Sequence, residues 1–302
     1  MTGNGRPGQA KSPVFNCRYS VINQILKKME PRLQRRVQRY GWDKAAEYYD
    51  NSWKKQLQPA QNRLMEMMNL QPGENVLETA CGTGLVTVRI AKAVGRDGRV
   101  TATDLSQGMI DLAKENINSN NGSLDFRRMD AEDLDLDESS FDAVICSLGL
   151  MYVPDPLRSL REMHRVLKPA GRAGIAIWGE RKHCGWADIF PIVDQYVASE
   201  VCPMFFQQGT GNILEQSMKN AGFQDIEITR FHEKLSFKNQ EHALTAAFFG
   251  GPVALAYRKF NDKTKESVHR EYLESISEYK KGKGYEIPGE FVVACGIKEQ
   301  TL

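Results

Sequence analysis

Residues Val76 to Thr87 read VLETACGTGLVT: a short apolar run, an acid at Glu78, small residues at Ala80, Gly82 and Gly84, then the start of a helical pattern. Low side-chain bulk lets another molecule's atoms approach the backbone, and the amides that open the following helix point outward with a partial positive charge. A small polar ligand is the expectation at this turn. A tight strand-to-helix turn without a ligand is the plainer alternative, and the flanking sequence has to decide between them.

Working outward, short apolar runs alternate with longer helical patterns. The strand candidates are NVLET (75–79), RVTATD (99–104), LDFRRMD (124–130), FDAVICS (141–147) and RAGIAIW (172–178). LVTVRIAKAV, GMIDLAKENINS and PLRSLREMHRVL separate them with helical spacing. This order predicts a doubly wound, mostly parallel sheet with helices on both faces. Farther on, GNILEQSMKNAGF reads as a helix, and DIEITRF and EFVVACGI as strands with no ordinary crossover helix between them. They bring the expected sheet to seven strands with an antiparallel last strand. The predicted organisation is a disordered leader at 1–16, an N-terminal helical cap at 17–72, a Rossmann-like core at 73–238, a helical insertion at 239–284, and the last strand and tail at 285–302.

Forty basic against thirty-eight acidic residues leave a formal charge of +2 in 302 residues. That balance gives no support to a nucleic-acid footprint spread over the molecule. The six cysteines form no CxxC pair, so neither a zinc site nor a disulfide framework is suggested, no metal is expected, and a reducing compartment, the cytoplasm, is the default location. No apolar run is long enough to span a bilayer and no signal-peptide core is evident. The basic residues Lys27, Lys28, Arg32, Arg35, Arg36 and Arg39 read as a solvated helix face.

Two cofactors use a strand, a glycine turn and a helix with an acid closing the second strand: a nicotinamide dinucleotide and S-adenosylmethionine. The dinucleotide fingerprint G-x-G-x-x-G fails at its third position, where counting from Gly82 reaches Thr87. The run E-x-A-C-G-x-G instead resembles the first motif of class I S-adenosylmethionine-dependent methyltransferases, with Ala80 in place of the first glycine. TATDLSQGMIDLAKENI resembles that family's second element, ending its strand at Asp104. A carboxylate there can accept both vicinal ribose hydroxyls, while a helix N-cap is the structural alternative. The stretch SLGLMYVPDPLRSLREMHRVLKPAGRAGIAIW resembles the ubiquinone/menaquinone C-methyltransferase-like enzymes. The resemblance implies Leu105 and Met109 against the adenine face, Asp130 and the Ala131 amide on the adenine edge, and Ser147 near the methionine portion. Glu78, Ala80, Cys81, Gly82 and Gly84 would form the cofactor loop, with Tyr49 closing over it. The acids Asp133, Asp135, Asp137 and Glu138 read as a solvated loop.

The activated methyl of a sulfonium needs alignment more than a strong catalytic motif. No N/D-P-P-Y/F motif follows the fourth strand, which argues for a small-molecule acceptor rather than an exocyclic base or amide nitrogen. Tyr152, Trp178, His183, Trp186, Phe205, Phe206, Phe248 and Phe249 are the acceptor-pocket candidates, a set suited to a planar or hydrophobic molecule. His183 is the candidate base, followed by Glu180, and Tyr152 the second catalytic candidate. Phe248 and Phe249, ahead of Gly250-Gly251-Pro252, suggest that the insertion is a lid over the acceptor; a homodimer contact is the competing explanation. A nicotinamide oxidoreductase and a non-catalytic cofactor-binding module stand as alternative functions.

Overall fold

The computed structural model of the chain describes residues 31–117, 123–198 and 201–300; the expected leader at 1–16, together with Lys27 and Lys28, lies outside the described residues. Helix α1 (Pro31–Met68) begins with proline, whose missing N–H costs nothing where an opening amide has no helical partner. It continues through Pro59 and buries Trp53, Leu57, Ala60, Leu64 and Met68 along one side. At about 1.5 Å per residue it is roughly 57 Å long, enough to reach from one end of the sheet to the other.

Strand and helix then alternate as β1 (Asn75–Thr79), α2 (Thr87–Val94), β2 (Arg99–Asp104), α3 (Gln107–Asn116), β3 (Ser123–Arg128), β4 (Phe141–Ser147), α4 (Pro156–Val166) and β5 (Leu167–Trp178). After α5 (Ile189–Asp194) and α6 (Ile213–Asn220) comes the long strand β6 (Phe223–Phe237). Helices α7 (Gln240–Phe248), α8 (Ala254–Tyr257) and α9 (Asp262–Ser275) precede β7 (Lys280–Lys281) and β8 (Gly284–Lys298). No helix among the described residues is long and apolar enough to cross a membrane.

The sheet order is β3-β2-β1-β4-β5-β8-β6, with β1 to β5 parallel and β8 antiparallel to both β5 and β6. These seven strands are the expected sheet, and the two-residue β7 adds an eighth that pairs with β8 alone. Strand β5 starts at Leu167, ahead of the expected Arg172, and takes in the preceding KPAG segment, with a register shift between Phe141 and Ala143. Strand β5 carries Gly174 where α1 crosses it. A β-carbon there would lie 2.3 Å from the Met68 sulfur, so the glycine is what lets helix and sheet approach.

Candidate functional site

Strand order reverses between the parallel neighbours β1 and β4, from which the sheet is built outward on either side, and ligands of open α/β sheets bind outside the carboxyl ends of the strands at such a switch point. A cavity with about 730 Å³ of empty space lies there. It is lined by Ala80 and Gly82 after β1, Asp104, Leu105 and Met109 after β2, Met129 to Glu132 after β3, and Ser147 to Gly149 after β4. Tyr152, Val153 and Pro154 close one side, and Arg35, Gln38, Trp42 and Tyr49 of α1 close another.

Two non-glycine residues of the lining hold left-handed backbone, Ala80 at φ +53° and Leu148 at φ +60°. Such conformations cost free energy and persist where the surroundings impose them. Gly82 is left-handed too, at φ +55°, and a β-carbon on it would meet nothing within 4 Å. Gly84 is left-handed as well, at φ +87°, and a β-carbon there would in addition lie 2.8 Å from Ile117 Cδ1 just beyond α3.

Asp104 ties the loops together. Its Oδ2 accepts the Gly82 amide and its Oδ1 the Ser106 amide, both at 2.9 Å. Burial pushes its pKa up to about 6, opposed by backbone hydrogen bonds from Ser106, Gly82 and Leu105. The N-cap of α3 is Ser106, whose hydroxyl accepts from the Met109 amide at 3.1 Å, so Asp104 is not the helix cap. Asp104 lines the cavity, and a carboxylate oxygen can accept more than one hydrogen bond.

Glu78, Cys81 and Gly84 stand behind the lining rather than in it. Thr87, where the dinucleotide fingerprint wants glycine, donates its hydroxyl to Glu78 Oε2 at 2.5 Å. Burial drives the Glu78 pKa up to about 8. Cys81 packs with Ala102 and Ile110 beneath the loop. The sequence pattern groups these residues by spacing, but spacing does not say which side of the loop each one faces.

Helix α1 is fastened over the site by polar contacts the sequence reading did not assign. Asp43 accepts from the Ser106 hydroxyl at 2.6 Å and the Gly108 amide at 3.1 Å, and Asp50 accepts from the Thr83 hydroxyl at 2.5 Å. Arg35 pairs with Glu132 at 2.6 Å and Asp130 at 3.2 Å. Arg35 is therefore not part of a solvated basic face. The side chain of Glu132 is only 1% exposed; burial raises its pKa and Arg35 counters that shift. Among the other predicted residues, Tyr49 lies edge-on to Trp42 (5.7 Å between centroids), and Trp42 is edge-on to Tyr152 (4.9 Å). Burial holds both phenols above their ordinary pKa.

A smaller aromatic recess, about 320 Å³, shares Trp42, Tyr49, Leu148 and Tyr152 with the larger cavity and adds Trp53, Leu57, Trp178, Trp186, Gly251 and Pro252. Of the acceptor-pocket candidates, Tyr152, Trp178 and Trp186 line it. Phe205 packs behind Tyr152 and Trp186, with Phe206 against it. Two expectations are corrected. Phe248 is fully buried against Tyr257, His269 and Tyr272, inside the insertion's own core, and Phe249 packs on Tyr48 and Tyr257, so neither ring faces the recess. The insertion instead contributes Gly251 and Pro252. His183 lines neither cavity; its Nδ1 lies 2.9 Å from Glu290 Oε1, while Glu180 pairs with Lys182 and is also absent from both linings.

A family model described as a methyltransferase domain matches residues 76–171. The demethylmenaquinone methyltransferase of Staphylococcus epidermidis is 34% identical over 182 residues, covering 56% of this chain and 75% of that protein. Among solved structures, a methyltransferase candidate of Bacillus halodurans C-125 superposes with a TM-score of 0.58 at 19% identity, covering 80% of this chain and 99% of that one. Phosphoethanolamine N-methyltransferase 2 of Haemonchus contortus, solved with phosphomonomethylethanolamine and S-adenosylhomocysteine, does so at 0.52 and 18%, covering 82% and 53%. At these identities the two structures share the fold. With Thr87 bonded to Glu78 and relatives of this kind, the nicotinamide alternative is set aside. The chain belongs to the class I S-adenosylmethionine-dependent methyltransferases of the menaquinone/ubiquinone type, enzymes that methylate a small-molecule acceptor.

Proposed function

We propose that the larger cavity holds S-adenosylmethionine and that the aromatic recess beside it holds a planar, largely apolar acceptor of the quinol class. The observation that carries this reading is that all four tryptophans of the chain, Trp42, Trp53, Trp178 and Trp186, line the recess. Flat aromatic walls favour a flat aromatic ligand. The relative named demethylmenaquinone methyltransferase supports the same acceptor class.

The residues present fit the cofactor. Asp104 offers two buried carboxylate oxygens for the ribose hydroxyls, and the space above Gly82 is open for close approach to the backbone. Asp130 and the Ala131 amide would take the adenine edge, and Leu105 and Met109 its face. The Ser147 hydroxyl, buried at the cavity and without a partner among the described residues, would take a polar atom of the methionine portion. Glu78, braced by Thr87, and Cys81 would shape the loop from behind.

When bound, the cofactor supplies a methyl carbon on a positive sulfonium. The chain's task is alignment and exclusion of water, which can lower a barrier by about 7 to 11 kcal/mol. Trp42, Tyr49, Leu148 and Tyr152 form the wall common to both cavities and would orient the acceptor toward the cofactor. Burial keeps the Tyr49 and Tyr152 phenols neutral, so each serves as a hydrogen-bond donor and not as a base. A quinol would give up a hydroxyl proton to bulk solvent before the site closes, which makes the ring carbon nucleophilic. After that carbon accepts the methyl, it would release the proton it carried and regain the aromatic ring. We further assign a cytoplasmic location, supported by five free cysteines among the described residues.

The test is transfer of label from methyl-labelled cofactor to a series of reduced quinones lacking the ring methyl, with product identified by mass spectrometry. Label on the quinol ring supports the reading. Label appearing only on amines or thiols in a metabolite extract contradicts it.

A further inference from the structure

We propose that His183, His232 and Glu290 form a binding site for a divalent transition ion, Zn²⁺ foremost, where β6, β8 and the turn after β5 meet. His232 and Glu290 are register partners across the β6–β8 pair, and the Glu290 carbonyl accepts the Gly179 amide at 2.7 Å, which brings the end of β5 alongside. The following one-turn helix, Arg181–His183, delivers the second imidazole. His183 Nδ1 lies 2.9 Å and His232 Nε2 3.6 Å from the same carboxylate oxygen, and one ligand atom from each residue falls within 4.8 Å of the others. Ligand atoms bound tetrahedrally at zinc distances sit about 3.3 to 3.5 Å from one another. Closing separations of up to 4.8 Å to that spacing takes movements of up to about 1.4 Å, which rotation of the exposed His232 side chain can supply.

The surroundings prepare the carboxylate for such a role. Glu290 is 1% exposed, and its other oxygen, Oε2, accepts from the Glu180 amide at 2.6 Å and Arg230 Nη1 at 2.7 Å. Arg230 is itself pinned, since Nη2 donates to the Gly209 and Gly211 carbonyls at 2.9 and 2.7 Å. Outer partners of this kind fix a ligating carboxylate and turn its other oxygen, Oε1, toward the two imidazoles. The Arg230 charge lowers affinity for a cation, so the site suits an ion that bonds strongly to imidazole rather than a hard one such as Mg²⁺. Two nitrogens and one oxygen from the chain leave a fourth position for water. Both imidazoles are partly exposed, so the ion has an entry path. His183 is three residues before Trp186, a wall of the aromatic recess, so an ion here would fasten that wall to β6 and β8. The sequence did not show the site because its members are scattered over more than a hundred residues and none is a cysteine.

The experiment uses the full chain without an affinity tag, treated with chelator and then titrated with ZnCl₂ by calorimetry and with CoCl₂ by visible absorption. One ion per chain is expected at micromolar affinity, with a cobalt spectrum of nitrogen and oxygen ligands and no thiolate charge-transfer band. His183→Ala and His232→Ala should each weaken binding at least about tenfold, while His242→Ala should leave it unchanged. The His232 side chain is 62% exposed, so its removal does not threaten the fold. No binding by the wild-type chain, wild-type affinity in either histidine variant, or a thiolate band would overturn the proposal.

Discussion

Gly149 lies against Ala80: a β-carbon on Gly149 would stand 2.3 Å from the Ala80 Cβ and 3.2 Å from the Cys146 sulfur. Ala80 occupies the left-handed region where the family motif has glycine. The methyl that the first loop gained is accommodated by a residue without one in the loop after β4. Gly149→Ala should therefore push the two loops apart and weaken binding of S-adenosylhomocysteine at least about tenfold, a cost of about 1.4 kcal/mol. Ala80→Gly alone should be nearly neutral, and the double variant should recover most of the lost affinity in a calorimetric double-mutant cycle. Strictly additive losses would show that the contact does not couple the loops.

Asp104 predicts a pH dependence of cofactor affinity. With its pKa raised by burial to about 6, the carboxylate is ionised only above that value, and hydroxyl donors favour the ionised form. Affinity should fall as pH drops through about 6 in the wild type and show no such step in Asp104→Asn. Stability runs the opposite way. A folded value raised above the ordinary 3.8 means that the contribution is greatest below 3.8 and is lost as pH rises toward 6. Asp104→Ala should cost about 1.5 to 3 kcal/mol for each charge-assisted hydrogen bond to the ligand.

Arg35 anchors the far end of the α1 lid through Glu132 and Asp130. Arg35→Ala leaves the buried Glu132, among the described residues, with the Asp155 amide as its remaining donor, at 2.7 Å. The cofactor should then leave several-fold faster in stopped-flow displacement, with its association rate little changed. Equal dissociation rates in variant and wild type would mean that the lid is held by its other contacts alone.

Phe248 tests the corrected view of the insertion. As a fully buried ring it should cost about 3 to 5 kcal/mol of stability when truncated to alanine, without a selective loss of acceptor binding. Trp186→Leu, by contrast, removes a wall of the recess that the larger cavity does not share, and should raise the acceptor KM while leaving cofactor affinity intact. A Phe248→Ala protein of wild-type melting temperature with impaired acceptor binding would restore the lid reading for that residue.

Much of this architecture is legible in the sequence because local periodicity reports it. The alternation from Asn75 to Trp178 carries the parallel sheet, and the acids at Asp104 and Asp130 mark strand ends that face the switch point. What spacing could not tell is which side of a loop a residue takes, and so Glu78, Cys81 and Gly84 read as lining while they brace it. Helical periodicity likewise does not distinguish a ring packed inside the insertion, Phe248, from one facing a cavity. The anchoring of α1 was hidden for another reason. Arg35, Asp43 and Asp50 look like ordinary surface charges until the fold places Glu132, Ser106 and Thr83 opposite them. Long-range pairs leave no local signature.

The arrangement of cofactor cavity and acceptor recess is tested most directly by intrinsic tryptophan fluorescence, because every tryptophan of the chain lines the recess. The account predicts saturable quenching when a quinone of the proposed acceptor class is added to the protein saturated with S-adenosylhomocysteine, and a several-fold weaker midpoint in Trp186→Leu. Quenching that rises linearly with quinone, or that saturates with the same midpoint in Trp186→Leu, would contradict it.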